Sequence, residues 1–150
     1  MADPRLLAPS PADVLMRDHD RIRHLFAEYS RLSPEQSEAR ERLVRQIRHD
    51  LRLHATIERE HFYPAISAAP DLHEDHLAME GLLDKLSGTK VADKSYDALL
   101  KLLEENFSLH AAVEERDLFP QLERLSPLSR RELTMKLESA RDRHEQTEAD

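Results

Sequence analysis

Cysteine is absent from this chain, which excludes a disulfide framework, a thiolate zinc site and a Cys nucleophile. Any metal site must therefore be built from imidazole and carboxylate. Glycine occurs only twice and aromatics are few, while Leu, Ala, Glu and Arg abound, a balance that favours helix. Positive charge is outweighed: the formal net charge is −8. That argues against non-specific binding to nucleic acid or to an anionic membrane. No segment approaches the 18 or so apolar residues of a membrane span. The first ten residues lack the apolar stretch of a signal peptide, so a cytoplasmic location is expected.

At 150 residues the chain is expected to form one domain with a real core, burying roughly 70% of its unfolded surface. Residues 1–11, with Pro4, Pro9 and Pro11, read as an N-terminal arm. Ser10 or Asp13 can cap a first helix whose apolar stripe runs Leu15, His19, Ile22, Phe26. Ser33-Pro34-Glu35-Gln36 reads as the start of a second helix with the stripe Ile47, Leu51, His54, Glu58, His61. Pro64 should kink or end it. A third helix, capped by Asp71, carries Leu72, His76, Met79, Leu83 and Leu86 and ends at Gly88, a natural left-handed terminator. A fourth starts near Asp93 or Ser95 with the stripe Leu99, Leu103, Asn106, His110, and Pro120 interrupts it. Residues 129–146 suit a short charged fifth helix with a narrow Leu133/Leu137 edge, packing outside the bundle or fraying. The expected fold is all-α: an up-down antiparallel four-helix bundle over residues 12–125, with 126–150 as a C-terminal helix or tail.

One pattern is written twice. His54-Ala-Thr-Ile-Glu58 has Pro64 ten residues after its His, and His110-Ala-Ala-Val-Glu114 has Pro120 at the same distance. The Asp-His pair is doubled too, as Asp18-His19 and Asp75-His76. Two pseudo-equivalent helical hairpins follow. Residues i and i+4 share a helix face, so each His-x-x-x-Glu presents an imidazole and a carboxylate to one interior point. His19 and His76 add one imidazole from each remaining helix. One His on an apolar stripe is most often a satisfied core residue. Four such His and two Glu in matching halves form a costly cluster unless metal holds them. Six ligands around two metals leave positions open for water, oxo or a small molecule, as in a reactive site.

Weaker candidates surround this set. His73, one turn before His76, is either a fifth His ligand or a surface residue; His61 lines the pocket or caps its end. Glu80 follows His76 by four residues and reads as solvent-side or supporting. Glu115 beside Glu114 leaves the spacing ambiguous by one. His73-Glu-Asp-His76 is one residue short of His-Glu-x-x-His, so it is no zinc-protease signature.

These motifs together resemble the hemerythrin-like family, whose domain is named for a His-His-Glu cation-binding motif. The resemblance includes Asp18-His19, His-x-x-x-Glu with trailing Phe62-Tyr63-Pro64, His76, and His-x-x-x-Glu-Glu with Leu118-Phe119-Pro120. It implies an oxo- or hydroxo-bridged pair of non-haem irons, with terminal His19, His54, His76 and His110, bridging Glu58 and Glu114, and exchangeable positions for O2, NO or peroxide. Ligand type alone also admits zinc, manganese or copper. The chain departs from the oxygen carriers: helix 3 has His-x-x-His, and helix 4 has Glu at +4 and +5. It more closely resembles members that handle iron, NO or oxidative stress. The expected function is therefore sensing, scavenging or iron handling, as a monomer or homodimer, rather than dedicated enzymology. The rivals are a catalase-like di-iron oxidoreductase acting on peroxide, and an interaction module stabilised by metal.

Overall fold

The computed structural model describes residues 9–66 and 72–149, with side chains as far as Arg143. Residues 1–8 of the arm expected over 1–11 and the expected cap Asp71 lie outside the described residues, and Pro11, the last residue of that arm, already opens the first helix. All regular structure described is helical: α1 (Pro11–Ser30), α2 (Ser37–Ile57), α3 (His73–Ser87), α4 (Lys94–Val113), the short α5 (Phe119–Leu122) and α6 (Pro127–Ala149). α1 packs against α2 and α3 against α4 as two hairpins, and α2 meets α3. None of the described helices is long and apolar enough to cross a membrane.

Local chemistry sets most helix ends. Ser10 Oγ accepts from the Asp13 N–H, and the Asp13 carboxylate accepts from the Ser10 N–H, a reciprocal cap with Pro11 in first position. Asp93 caps α4 by accepting from the Ser95 N–H at 2.9 Å. The second helix starts at Ser37, later than Ser33-Pro34 suggests. The Gln36 side chain accepts from the Ser33 N–H at 2.9 Å, closing a turn at which the helix only then begins. Gly88 ends α3 with φ −92°, so its expected left-handed conformation is not used. The stripe of α4 is also rotated from expectation: Tyr96, Leu100, Leu103, Phe107 and His110 are buried, while Leu99 and Asn106 flank them. Both rows share Leu103 and His110, and turning Tyr96 and Phe107 inward buries more apolar area.

The core lies in two apolar layers. One gathers Ile22, Phe26, Ile47, Leu83, Leu103 and Phe107 at the end of the hairpin links. The other gathers Leu15, Ile57, Phe62, Leu118, Leu122 and Leu137. His19, His54 and His110 sit between them in sequence on their helices and are buried. A polar layer thus divides the core.

α6 is longer than residues 129–146, and it packs outside the four-helix bundle on α1 and α2. Leu133, Leu137 and Ala140 are buried there, following the expected narrow edge. Leu128 and Met135 on the same helix are exposed. At the other end, Tyr29 Oη donates to Asp97 Oδ1 at 2.7 Å and Arg40 Nη2 donates to the same carboxylate at 2.8 and 2.9 Å, joining α1, α2 and α4. The Tyr29 hydroxyl bond and then the Arg40 guanidinium hold the Asp97 carboxyl below its ordinary range.

Two outcomes are expected. Leu137→Ala should lower unfolding free energy by roughly 2–5 kcal/mol, against about 0.5 kcal/mol or less for Met135→Ala, in urea titrations. A depressed folded pKa gives stability that is present above the unfolded value and lost as pH falls through the folded one. The acid limb of the stability curve below about pH 4 should therefore flatten in Asp97→Asn.

Candidate metal centre

Both helices that carry His-x-x-x-Glu change pitch at the Glu. α2 passes into a wide turn over Glu58–Phe62, and α4 into one over Glu114–Leu118. In these turns the N–H of Tyr63 reaches back five residues to the Glu58 carbonyl, and that of Phe119 to the Glu114 carbonyl. The next residues are Pro64 and Pro120, which lack the N–H needed to continue an α-helical ladder. Widening absorbs that loss without breaking the helix, so Pro64 reshapes the helix over one turn before ending it in Tyr63–Ala65. Such turns are frequent at functional sites.

Six side chains converge in the polar layer. His19 Nε2 lies 3.1 Å from His54 Nε2 and 3.1 Å from Glu114 Oε1. His76 Nε2 lies 3.3 Å from His110 Nε2 and 3.2 Å from Glu58 Oε1. Glu58 Oε1 is also 3.2 Å from His54 Nε2 and 3.4 Å from His110 Nε2. Glu114 Oε1 is also 3.2 Å from His110 Nε2. Glu58 and Glu114 are completely buried. Two groups with metal-ligand spacing result, His19–His54–Glu58–Glu114 and Glu58–His76–His110.

The far side of two imidazoles is anchored. His54 Nδ1 faces Asp18 Oδ2 at 3.0 Å, and His110 Nδ1 faces Asp75 Oδ2 at 3.2 Å. Each carboxylate accepts from Nδ1–H, which fixes the tautomer and leaves the Nε2 lone pair turned to the cluster. The Asp of each Asp-His pair therefore buttresses the His of the neighbouring helix. Asp18 is buried and also touches the Arg141 guanidinium of α6, whereas the Asp75 side chain is 47% exposed. His19 is anchored more loosely: its Nδ1 has no hydrogen-bond partner among the described residues and lies 3.6 Å from Glu115 Oε1, and Arg23 grips Glu115 through two bonds of 2.9 and 2.7 Å.

Two aromatic residues occupy equivalent places after the wide turns. Phe119 stacks on His19 at 5.4 Å, and Tyr63 stacks on His76 at 5.8 Å. Only Tyr63 brings a hydroxyl, which donates to Glu114 Oε2 at 3.0 Å and lies 3.3 Å from Glu58 Oε1. Burial, then the Glu58 and Glu114 charges, push this phenol's pKa far above its ordinary value.

The electrostatics call for a cation. Burial alone would drive His54 towards neutrality, but Glu58 and Glu114 overcome it and hold the imidazole up at about 10. His110 is likewise raised to about 10 against its burial, by its bonds to Glu114 and Glu58. Glu58, despite its burial, stays well below the usual carboxylate range because of His54. Its Oε2 is buried with no hydrogen-bond partner among the described residues. Four Nε2 atoms around two buried carboxylates, one oxygen orphaned, fit a metal better than protons alone.

The weaker candidates separate cleanly. His73 is exposed at the start of α3 and does not join the cluster. His61 is half-buried, with Nε2 3.8 Å from Glu60. Glu80 pairs with Arg52 at 2.7 Å rather than facing the cluster. Glu115 supports His19 while Glu114 points inward. Asp18, Asp75 and Tyr63 were not among the predicted site residues; the doubled Asp-His pairs and the aromatic-Pro pairs were their signals.

Losing the charge but not the shape of Asp18 should matter at one His. Asp18→Asn is expected to weaken metal binding by about 10–100-fold in chelator-competition titrations, and solvent-exposed Asp75→Asn by less.

Comparisons with known proteins agree with this geometry. The hemerythrin HHE cation binding domain matches over residues 10–122. The chain is similar to the crystal structure of a hemerythrin HHE cation binding domain-containing protein from Mycobacterium kansasii. The two share 25% identity and a TM-score of 0.83, over 93% of this chain and 90% of that one. No curated protein sequence matches. The chain is a metal-binding protein of the hemerythrin HHE cation binding domain family.

Proposed function

We propose that this protein holds two iron ions and binds or reacts with O2, NO or peroxide at an exchangeable position. The observation that carries the reading is the sharing of carboxylates. Glu58 Oε1 is within 3.4 Å of His54, His76 and His110, and Glu114 Oε1 within 3.2 Å of His19 and His110. Carboxylates that reach imidazoles of both hairpins suit two neighbouring metals joined by bridges. His19 and His54 would serve one metal, and His76 and His110 the other. Iron rather than zinc or manganese rests on the family, since imidazole and carboxylate accept all three. Two His and two bridging carboxylates leave each ion below the six ligands that iron accommodates. Iron there supplies the electrons and open positions for binding a diatomic molecule or peroxide.

The chain's own contribution is positioning and dryness. Asp18 and Asp75 orient His54 and His110. Tyr63 Oη donates to Glu114 and keeps a proton beside the carboxylates. The apolar layers on both sides exclude bulk water. α6 packs its apolar edge on α1 and α2, so that edge is occupied within the chain, which weakens the reading of α6 as a partner-binding module.

Protein reconstituted anaerobically with ferrous iron and then exposed to air should contain two irons per chain and show an oxo-to-iron charge-transfer band. Glu58→Ala and Glu114→Ala should each lose at least one iron by metal analysis, and an unchanged content would count against bridging. Continuous oxygen evolution from peroxide, abolished in His110→Ala, would extend the function to turnover. Stoichiometric consumption keeps it at binding.

A further inference from the structure

We propose that small molecules reach the metal centre through the seam between α2 and α3, where Leu51, Ala55, Met79 and Leu83 set the width of the path to His76. The proposal rests on the reading that the centre binds an exogenous small molecule. It comes from comparing the two halves of the chain where they should be alike.

Five of the six converging side chains belong to buried residues, and His76 is the exception. Beside it lies a cavity of about 20 Å³ lined by Leu51, Ala55, His76, Met79, Glu80 and Leu83. Space of roughly 10–15 Å³ holds one water molecule, so the cavity admits a molecule of about that size. Its inner end is the His76 imidazole, whose Nε2 is 3.2 Å from Glu58 Oε1. Besides His76, its partly exposed lining residues are Ala55 and Glu80, the latter held by Arg52 through bonds of 2.9 and 2.7 Å. Leu51, Met79 and Leu83 make the walls apolar.

The doubled sequence places an equivalent seam between α4 and α1. There Phe107 stands for Leu51, Ala111 for Ala55, Ile22 for Met79 and Phe26 for Leu83. Phe107 and Ala111 are at most 1% exposed and Ile22 and Phe26 are buried; Leu51, Met79 and Leu83 share that core, so the seams differ in exposure at Ala55, which is partly exposed where Ala111 is buried. The Phe107 ring closes edge-on against His19 at 5.7 Å. Arg23 stands for Glu80, and its paired bonds to Glu115 close the surface. Phenyl rings thus stand at the two positions that Leu51 and Leu83 hold beside His76. The approach to His54 between α1 and α2 is narrower, about 10 Å³, and Arg141 of α6 lines it while touching Asp18. Of these three seams, the one at His76 combines an apolar wall, a larger cavity than the approach to His54 and a partly exposed edge.

The test copies the closed seam onto the open one. Leu51→Phe transplants the blocking ring, and Met79→Ala widens the same path. Neither residue is in the ligand set. Azide is added to the air-oxidised, iron-loaded protein, and the association rate is read by stopped-flow absorbance. Leu51→Phe should slow association by about tenfold or more and Met79→Ala should speed it, within the one to three decades over which such rates vary. Iron content and the final azide spectrum should match the wild type in both. Wild-type rates in both variants would overturn the route while leaving the di-iron reading intact. A wild-type protein that takes up iron yet never forms an azide complex would overturn the reading and the route together.

Discussion

Four imidazoles and two carboxylates are enclosed between two apolar layers, and this one arrangement dictates most of the rest. Glu58 and Glu114 have no water to solvate them, so their charge must be met inside the protein. In the chain alone, protons on His54 and His110 meet it; a metal meets it with better geometry. The supports around the cluster follow from the same need. Asp18 and Asp75 fix two rings, Glu115 with Arg23 backs a third, and Phe119 and Tyr63 stack on the His contributed by α1 and α3. The four imidazoles are thereby each backed by a neighbouring side chain, while Glu58 Oε2 is left without a partner among the described residues.

The two wide turns show how the backbone serves this layer. A regular helix would carry the residues after each Glu round at a fixed 100° per residue. The extra residue per turn rotates Tyr63 and Phe119 into place over the neighbouring rings, which ordinary pitch does not do. Proline is the local cause and the shared feature of both halves. The stereochemical cost of Pro64 and Pro120 is thus converted into the placement of two aromatic side chains.

Much of the centre was legible because the pattern is local and doubled. His-x-x-x-Glu needs only the i, i+4 geometry of a helix, so His54 with Glu58 and His110 with Glu114 follow from spacing alone. What pairs across helices was not legible. Asp18 meets His54 36 residues away, and no helical periodicity relates them. The choice between Glu114 and Glu115 depends on where the helix widens, which spacing does not specify. The rotated stripe of α4 was missed because two rows share Leu103 and His110, and only the packing partners decide between Phe107 and Asn106. The start of α2 was misplaced because a Ser-Pro-Glu-Gln run serves equally as a turn closed by Gln36. The length of α6 was underestimated because its charged positions give little apolar period beyond Leu133, Leu137 and Ala140.

Neither hairpin owns a whole site. Glu58, from the first hairpin, stands among the rings of His76 and His110, and Glu114, from the second, stands against His19. Contacts within each hairpin are local, so the hairpins can form early and independently, while their union closes loops as long as that between residues 19 and 114. A metal seated in this layer is then a clasp between two separately formed halves. Its ligands would tie the two hairpins across the line of internal duplication, in addition to the apolar layers that already join them.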